Sequence, residues 1–265
     1  MLIAITRPVS PTITECELTL LQREPIDVAL AEQQHAAYET LLELLGAKVV
    51  RVEAAPDFPD AVFVEDCAVV VNEVAVITRP GTRSRLGEVA EVARCLAQYR
   101  DCILMEEPAT LDGGDVVIAG KAVYVGRSAR TNDAGIEQLR GAVGRFGYTV
   151  APVEFSGALH LKSVCTAIDD ETLLLDPRRV DVTQFPELEY LAVPPGEWPA
   201  TNVISVNGTI VMADGNPQTQ ALLASTGRAV RSIDISEFSK AEGAVSCKSI
   251  LLRAQDAGRG AEEGE

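Results

Sequence analysis

The 265 residues predict an α/β ring of about five repeated ββαβ modules, on three observations. Short β-rich runs come in pairs, each pair closed by a tight turn. Each pair is followed by a helical stretch and one further extended segment. The pair-closing turns lie at positions 72, 120, 170 and 207, spacings of 48, 50 and 37 residues, the range of radially repeated architectures.

The front of the chain supplies LIAIT, a helical run around Tyr38, Leu41, Leu42 and Leu45, and the strand KVVRVEA. With CKSILLR from the other end they make a fifth module split between the termini, and pairing the two ends closes the ring and removes a sheet edge. Next, CAVVV and VAVIT flank Asn72-Glu73, an amphipathic helix carries Leu86, Val89, Val92, Ala93 and Leu96 at helical spacing, and CILME returns as a strand. DVVIA and AVYVG flank Gly120-Lys121 and lead into a helix with Ile136, Leu139, Val143 and Phe146, then YTVAPVEF. SVCTAID and TLLLD around Asp169-Asp170-Glu171 form a weaker copy. NVISV and TIVMA flank Asn207-Gly208, a type I′ hairpin signal, and Asn216-Pro217 starts a helix with Asn as N-cap and Pro at N1 before AVRSIDI. The propeller-like domain is expected over 1–253. The small-residue acidic tail 254–265 is expected to be disordered.

Apolar residues at 47% and charged residues at 23% exclude a disordered or fibrous chain. The net charge of −16 repels phosphate backbones and anionic lipid, so neither nucleic acid nor membrane is an expected partner. MLIAITRPVS has no basic leader region and no stretch reaches the ~20 apolar residues of a membrane span, so a cytoplasmic protein is expected. Six cysteines without a C-x-x-C pair suggest neither a zinc site nor a disulfide framework. Nucleotide-loop, dinucleotide, nucleophile-elbow and H-E-x-x-H motifs are all missing.

Equivalent modules place the residue at the start of each first strand at the same height near the axis. Those residues are Asp66, the Asp112/Asp115 pair, His160, Asn202 and Cys247. A cysteine, a histidine and several carboxylates then converge, the arrangement of a base-assisted thiolate nucleophile with a carboxylate to orient the ring. Acidic groups facing a pocket also bind a planar guanidinium through paired hydrogen bonds, and Arg85 and Arg130, in the turns after two second strands, suit a carboxylate. Singly, each residue has a plainer reading: Cys247 as a buried thiol, His160 as a structural histidine, Arg85 as a surface charge, Asp60 as a turn residue. Their shared register is what raises them. His35, in the polar run AEQQHAAY, is expected to be exposed, Trp198 to anchor a loop, and the other five cysteines to be structural. Lys248 either tunes the thiolate or faces solvent.

FPDAVFVED, ITRPGTRSRLGE, LDGGDV, VGRSARTN, LHLK and VSCKS together resemble the dimethylarginine dimethylaminohydrolase family of the guanidino-group-modifying (pentein) superfamily. The resemblance implies a five-bladed ββαβ α/β-propeller with pseudo-fivefold symmetry, and hydrolysis of Nω-methylated L-arginine to L-citrulline and methylamines through a covalent Cys thiouronium intermediate. By motif it implies Cys247 as nucleophile, His160 as general acid/base and Asp112 as its partner, a position where some bacterial relatives carry Glu. Asp60 and Asp66 would bind the guanidinium with Glu65 and Phe63 lining the same segment, Arg85 and Arg130 would hold the α-carboxylate, and Leu18 and the backbone at Ala241 would meet the amino-acid end. No cofactor and no metal are implied, and a homodimer is left open. Relatives acting on unmethylated arginine place an acid at H-x-D, whereas this sequence has Lys162, which favours methylated substrates. An arginine-type deiminase and a non-catalytic binding protein of the same fold are the rival readings.

Overall fold

Residues 1–254 are described by a computed structural model. The chain starts with β1 (Leu2–Thr6), α1 (Val28–Leu44) and β2 (Ala47–Arg51). It continues with β3 (Ala68–Val70), β4 (Val74–Ile77), α2 (Val89–Leu96) and β5 (Asp101–Leu104), then β6 (Val116–Ala119), β7 (Ala122–Gly126), α3 (Asp133–Gly144) and β8 (Thr149–Val153). Next come β9 (Cys165–Ala167), β10 (Thr172–Leu175) and β11 (Glu189–Ala192). β12 (Val203–Val206), β13 (Thr209–Ala213), α4 (Pro217–Ser225), β14 (Ala229–Ile233), α5 (Ser236–Ser239) and β15 (Ile250–Arg253) complete it.

The fifteen strands form five three-stranded sheets, β15-β1-β2, β3-β4-β5, β6-β7-β8, β11-β10-β9 and β12-β13-β14, a five-bladed α/β propeller. In every sheet the first strand runs antiparallel to the middle one, and the middle one parallel to the last. A parallel pair needs a crossover, which is the place of the helix in each module. The terminal blade closes as the sequence suggests: Leu2 faces Arg253 and Ile5 faces Ile250 across an antiparallel register. The Ala254 amide extends this edge to the Met1 carbonyl at 2.8 Å, so Ala254 belongs to the blade rather than to the tail. The remainder of the expected tail, 255–265, lies outside the described residues.

Strand alternation seals neighbouring blades against one another. In β1, Leu2 and Ala4 face a cluster under α1 with Tyr38 and Leu42, while Ile3 and Ile5 face Ala75, Ile77, Val92, Leu96 and Ile250. Both faces are buried, so the strand reads as one apolar run. On α3, Ile136, Leu139 and Val143 fill the cluster with Val76 and Val125, and Asn132 caps the helix by accepting the Gly135 N–H at 2.8 Å.

Three local expectations are corrected. The β9–β11 blade has no α-helix: Pro177 and Pro186 punctuate its crossover, which makes only a short 3₁₀ turn at Val182–Gln184. Phe185 fills in there, packing edge-on to Tyr124 with ring centroids 4.9 Å apart. Asn216 stands at the N-cap of α4, but its amide turns back to the Ala213 and Asp214 carbonyls. The distant Glu197 carboxylate caps α4 instead, accepting from Gln218 N–H at 3.1 Å and Thr219 N–H at 2.7 Å. His35 is buried rather than exposed, packed against Tyr38 and Phe238 with Nε2 3.4 Å from Glu39. The type I′ turn is as expected, with φ of 48° at Asn207 and 86° at Gly208.

One feature of the fold builds the site. Every first strand is entered through a 3₁₀ turn: Val64–Cys67, Gly113–Asp115, Leu161–Ser163, Trp198–Thr201 and Ser246–Lys248. The five turns gather at one end of the axis.

Candidate active site

Asp60, Phe63, Asp66, Arg85, Arg130, His160, Ala241 and Cys247 line one hollow together with Glu17, Leu159, Glu242 and Gly243. Its open volume is about 20 Å³, room for about one water molecule. Thiol and imidazole, 87 residues apart in sequence, therefore face one small space.

The LDGGDV turn explains its own composition. Asp112 accepts a hydrogen bond from Gly81 N–H at 2.8 Å and pairs through Oδ2 with His160 Nε2 at 3.1 Å. Gly114 N–H donates to Asp66 Oδ1 at 2.9 Å, and a Cβ at Gly114 would stand 2.6 Å from His160 Nδ1. Only glycine admits the ring so close to the backbone. Asp115, the other half of the pair, orients the next turn, accepting from the Leu161 N–H at 3.0 Å and from Ser128 and Thr131 hydroxyls at 2.6 and 2.7 Å.

Burial alone would lower the His160 pKa, but the Asp66 charge, the Asp112 hydrogen bond and Asp115 outweigh it and lift it to about 9. The ring is thus an imidazolium at neutral pH, with a proton to give. Burial also works against the Asp66 carboxylate, yet His160 and Arg85 bring it down to about 2. Cys247 is the opposite case: burial first, then the negative charges of Glu65 and Asp66, push its thiol up to about 12, against the Ala244 N–H that donates to Sγ at 3.4 Å. Burial and carboxylates together hold this thiol neutral, and a bound cation would offset the carboxylates' part. Burial likewise pushes Asp60 upward, Arg85 opposing it.

Three expected ligands, Arg85, Glu65 and Leu18, are placed differently from the rest. Arg85 is buried, not a surface charge, and is largely spent within the protein. It donates to Asp66 Oδ2 at 2.6 Å, to both Glu88 oxygens at 2.8–3.2 Å, and to the Phe63 carbonyl at 3.0 Å. Arg130 is freer, touching the hydroxyls of Thr82 and of Thr19, the latter at 3.0 Å. Both Glu65 oxygens are taken, by Lys162 Nζ at 2.7 Å and Ser246 Oγ at 2.6 Å, and Glu65 lines the axial cavity behind the site instead of the hollow. Leu18 packs on the apolar cluster of Phe63, Phe238, Ala241 and Val245, while its neighbour Glu17 lines the hollow. Lys248 faces no solvent: it is 0% exposed, with Nζ lying 4.2 Å from the Tyr38 ring centroid and 4.7 Å from that of Phe238.

Sequence reading missed two supports: Glu88 under Arg85, and Ser246, whose N–H donates at 2.8 Å to Oδ1 of Asn202, a residue the axial register had named. Asn202 shares the register of Asp112, and Glu88 stands three residues after Arg85, so both signals were present. Among the described residues, Asp66, Asp112 and His160 are the one group whose ligand atoms lie close enough to hold a metal ion. Those atoms are already engaged with one another, with Arg85 and with backbone N–H groups.

No protein-family model matches the chain. An N(G),N(G)-dimethylarginine dimethylaminohydrolase of Streptomyces coelicolor is 41% identical over 252 residues, covering 94% of this chain and 96% of the relative. The chain belongs to the dimethylarginine dimethylaminohydrolase family. Solved structures of dimethylarginine dimethylaminohydrolases agree. A cysteine-to-serine mutant of the Pseudomonas aeruginosa enzyme, complexed with citrulline, superposes with a TM-score of 0.89 at 30% identity, covering 94% of this chain and 98% of that one. A histidine-to-glycine variant, an adduct with S-methyl-L-thiocitrulline, gives 0.89 at 31% identity over 95% of this chain and all of the other.

Proposed function

We propose that this chain hydrolyses Nω-methylated L-arginine to L-citrulline and methylamines, with Cys247 as nucleophile, His160 as acid and base, and Asp112 as the group that orients the ring. The observation that carries the assignment of roles is the single hollow shared by a thiol kept neutral by burial and nearby carboxylates and an imidazolium. A guanidinium entering between Asp60 and Asp66 offsets the negative field at Cys247 and releases the thiol proton to solvent. The thiolate attacks the guanidinium carbon, and the His160 imidazolium protonates the departing methylamine as the C–N bond breaks. Neutral His160 then takes a proton from water. The resulting hydroxide adds to the thiouronium carbon, the C–S bond breaks, the added hydroxyl gives its proton to solvent, and citrulline leaves with the thiolate and imidazolium restored.

Arg130, with Ala241 and the segment carrying Glu17 and Leu18, is the place for the amino-acid end. Lys162, tied to Glu65 and to the Gly113 carbonyl at 3.2 Å, offers the guanidinium no second acidic edge, which favours N-methylated over plain arginine. The six free cysteines fit a reducing, cytoplasmic setting, and no helix among the described residues is long and apolar enough to cross a membrane.

A substrate panel tests the reading. Dimethylated and monomethylated arginine are expected to give citrulline faster than arginine or agmatine. Arg130→Ala is expected to raise KM about tenfold or more for the α-carboxylate substrates and little for agmatine-like ones. Arginine turned over as fast as its methylated forms would favour the deiminase reading.

A further inference from the structure

The hollow of about 20 Å³ cannot hold a methylated arginine, so part of its wall has to move for substrate to enter, and Glu17 joins that wall to a loop segment. Besides the Ser84 hydroxyl, which donates to Glu17 Oε1 at 2.6 Å, that segment, 17–23, is fastened at three places. Glu17 N–H donates to Asp60 Oδ2 at 3.1 Å, and Arg130 Nη2 donates to Thr19 Oγ1 at 3.0 Å. Both of these attachments use side chains that the reading above gives to substrate, so substrate competes with them. The third does not. The Glu242 carboxylate accepts the N–H groups of three successive residues, Thr19 at 3.0 Å, Leu20 at 2.5 Å and Leu21 at 2.6 Å.

We propose that Glu242 is a positioning residue for the reaction: it acts through residues 19–21, holding them over the hollow by an attachment that substrate binding leaves intact. Three convergent N–H donors form a concavity for an anion, and charge-assisted bonds are the stronger kind. The backbone supports a built device. Glu242 follows α5 with φ of 57°, the left-handed conformation in which helix ends favour Gly or Asn. The Gly243 N–H to Phe238 carbonyl bond at 2.9 Å holds that conformation. It aims the carboxylate at the segment, and Glu242 itself borders the hollow with Ala241, one residue earlier, and Cys247, five later. Leu18 seats the start of the segment on the apolar cluster, but Leu20 and Leu21, half exposed at 56% and 51%, give residues 19–21 little apolar seat of their own.

The inference rests on Cys247 being the reactive group of the site, and the test separates the two. Glu242→Ala and Glu242→Gln are compared with the parent chain for Cys247 alkylation by iodoacetamide, followed by peptide mass, and for kcat and KM with dimethylarginine. Opening the segment in Glu242→Ala is expected to speed alkylation about tenfold and raise KM about tenfold, with kcat within threefold and Tm unchanged. Glu242→Gln, which keeps one acceptor oxygen, is expected to fall between. Alkylation and KM at parent values in Glu242→Ala would overturn the proposal, as would a Tm loss in which kcat and KM worsen together. A parent chain that releases no citrulline would overturn the functional reading instead, and the alkylation rates would still decide on Glu242.

Discussion

The two ends of the propeller axis are built from the same repeat and differ in every property that matters for chemistry. At one end, five 3₁₀ turns converge on a hollow of about 20 Å³ ringed by Asp60, Asp66, Arg85, Arg130, His160 and Cys247. At the other, the hairpin turns surround a far larger cavity of about 670 Å³, lined by Asn72, Gly120, Tyr148, Asp169, Asp170, Glu171 and Arg253 among others. Volume therefore does not mark the site. What marks it is that buried ionisable groups there hold one another in unusual protonation states: an imidazole lifted to about 9, a carboxylate held at about 2, a thiol pushed to about 12. At the open end, Asp169 meets Arg228 and the Arg100 Nη2 donates to the Arg253 carbonyl at 2.5 Å, pairings that tie blades together.

Substitutions at the two ends sharpen the contrast. After Cys247→Ser, which should abolish turnover, the largest effect is expected at the ring: His160→Gln should lower kcat by about 10²–10⁴-fold. Asp112→Asn should cost less and should also move the pH profile. In the proposed role the acid form of His160 is the working one, so activity is expected to fall as pH rises through about 9. Removing the Asp112 charge lowers that midpoint. A midpoint that stays put would show that Asp112 does not hold the proton. Next in size, Gly114→Ala drives a Cβ to 2.6 Å from His160 Nδ1 and should lower kcat about a hundredfold. Gly141→Ala on the exposed face of α3, where a Cβ meets nothing within 4 Å, should instead stabilise by about 0.5–1 kcal/mol in urea titrations.

Lys248→Met is expected to stabilise the fold, because its amine is buried with no hydrogen-bond partner. Burial lowers the Lys248 pKa from 10.5 to about 7. Between these values the unfolded chain keeps a proton that the folded one releases, so parent stability rises with pH across that window. The methionine variant lacks this rise, so its gain, about 2 kcal/mol or more, is greatest below pH 7 and fades toward pH 10. Unfolding at pH 6 and pH 10 measures it, and a loss of stability at pH 6 would contradict the account. The smallest effect is expected at the open end, where Glu171→Gln should leave kcat and KM within twofold.

How much of this was legible in the sequence follows from how local each signal is. The blade count and the axial register could be read because Asp66, Asp112, His160, Asn202 and Cys247 stand at or beside equivalent entries to first strands, and strand periodicity announces those entries. His35 and Lys248 could not, because what buries them is the packing of α1 against α5, which have 191 residues of chain between them. Phe238 covers both side chains, and no periodicity within AEQQHAAY reports it. Arg85 was legible as a site residue but not in its commitments, since Asp66 and Glu88 saturate it only once the turns are folded. The missing helix of the β9–β11 blade was marked by Pro177 and Pro186, a local signal that the regularity of the repeat overrode.

The central claim is that Cys247 bonds to the guanidinium carbon while His160 stands across the same hollow, and it is open to direct measurement. Protein quenched in acid during turnover of dimethylarginine, digested and weighed, is expected to carry a thiouronium adduct on the peptide containing Cys247. The adduct should be absent in Cys247→Ser, which should release no citrulline. An adduct on another residue, or citrulline released by Cys247→Ser at the parent rate, would contradict the account.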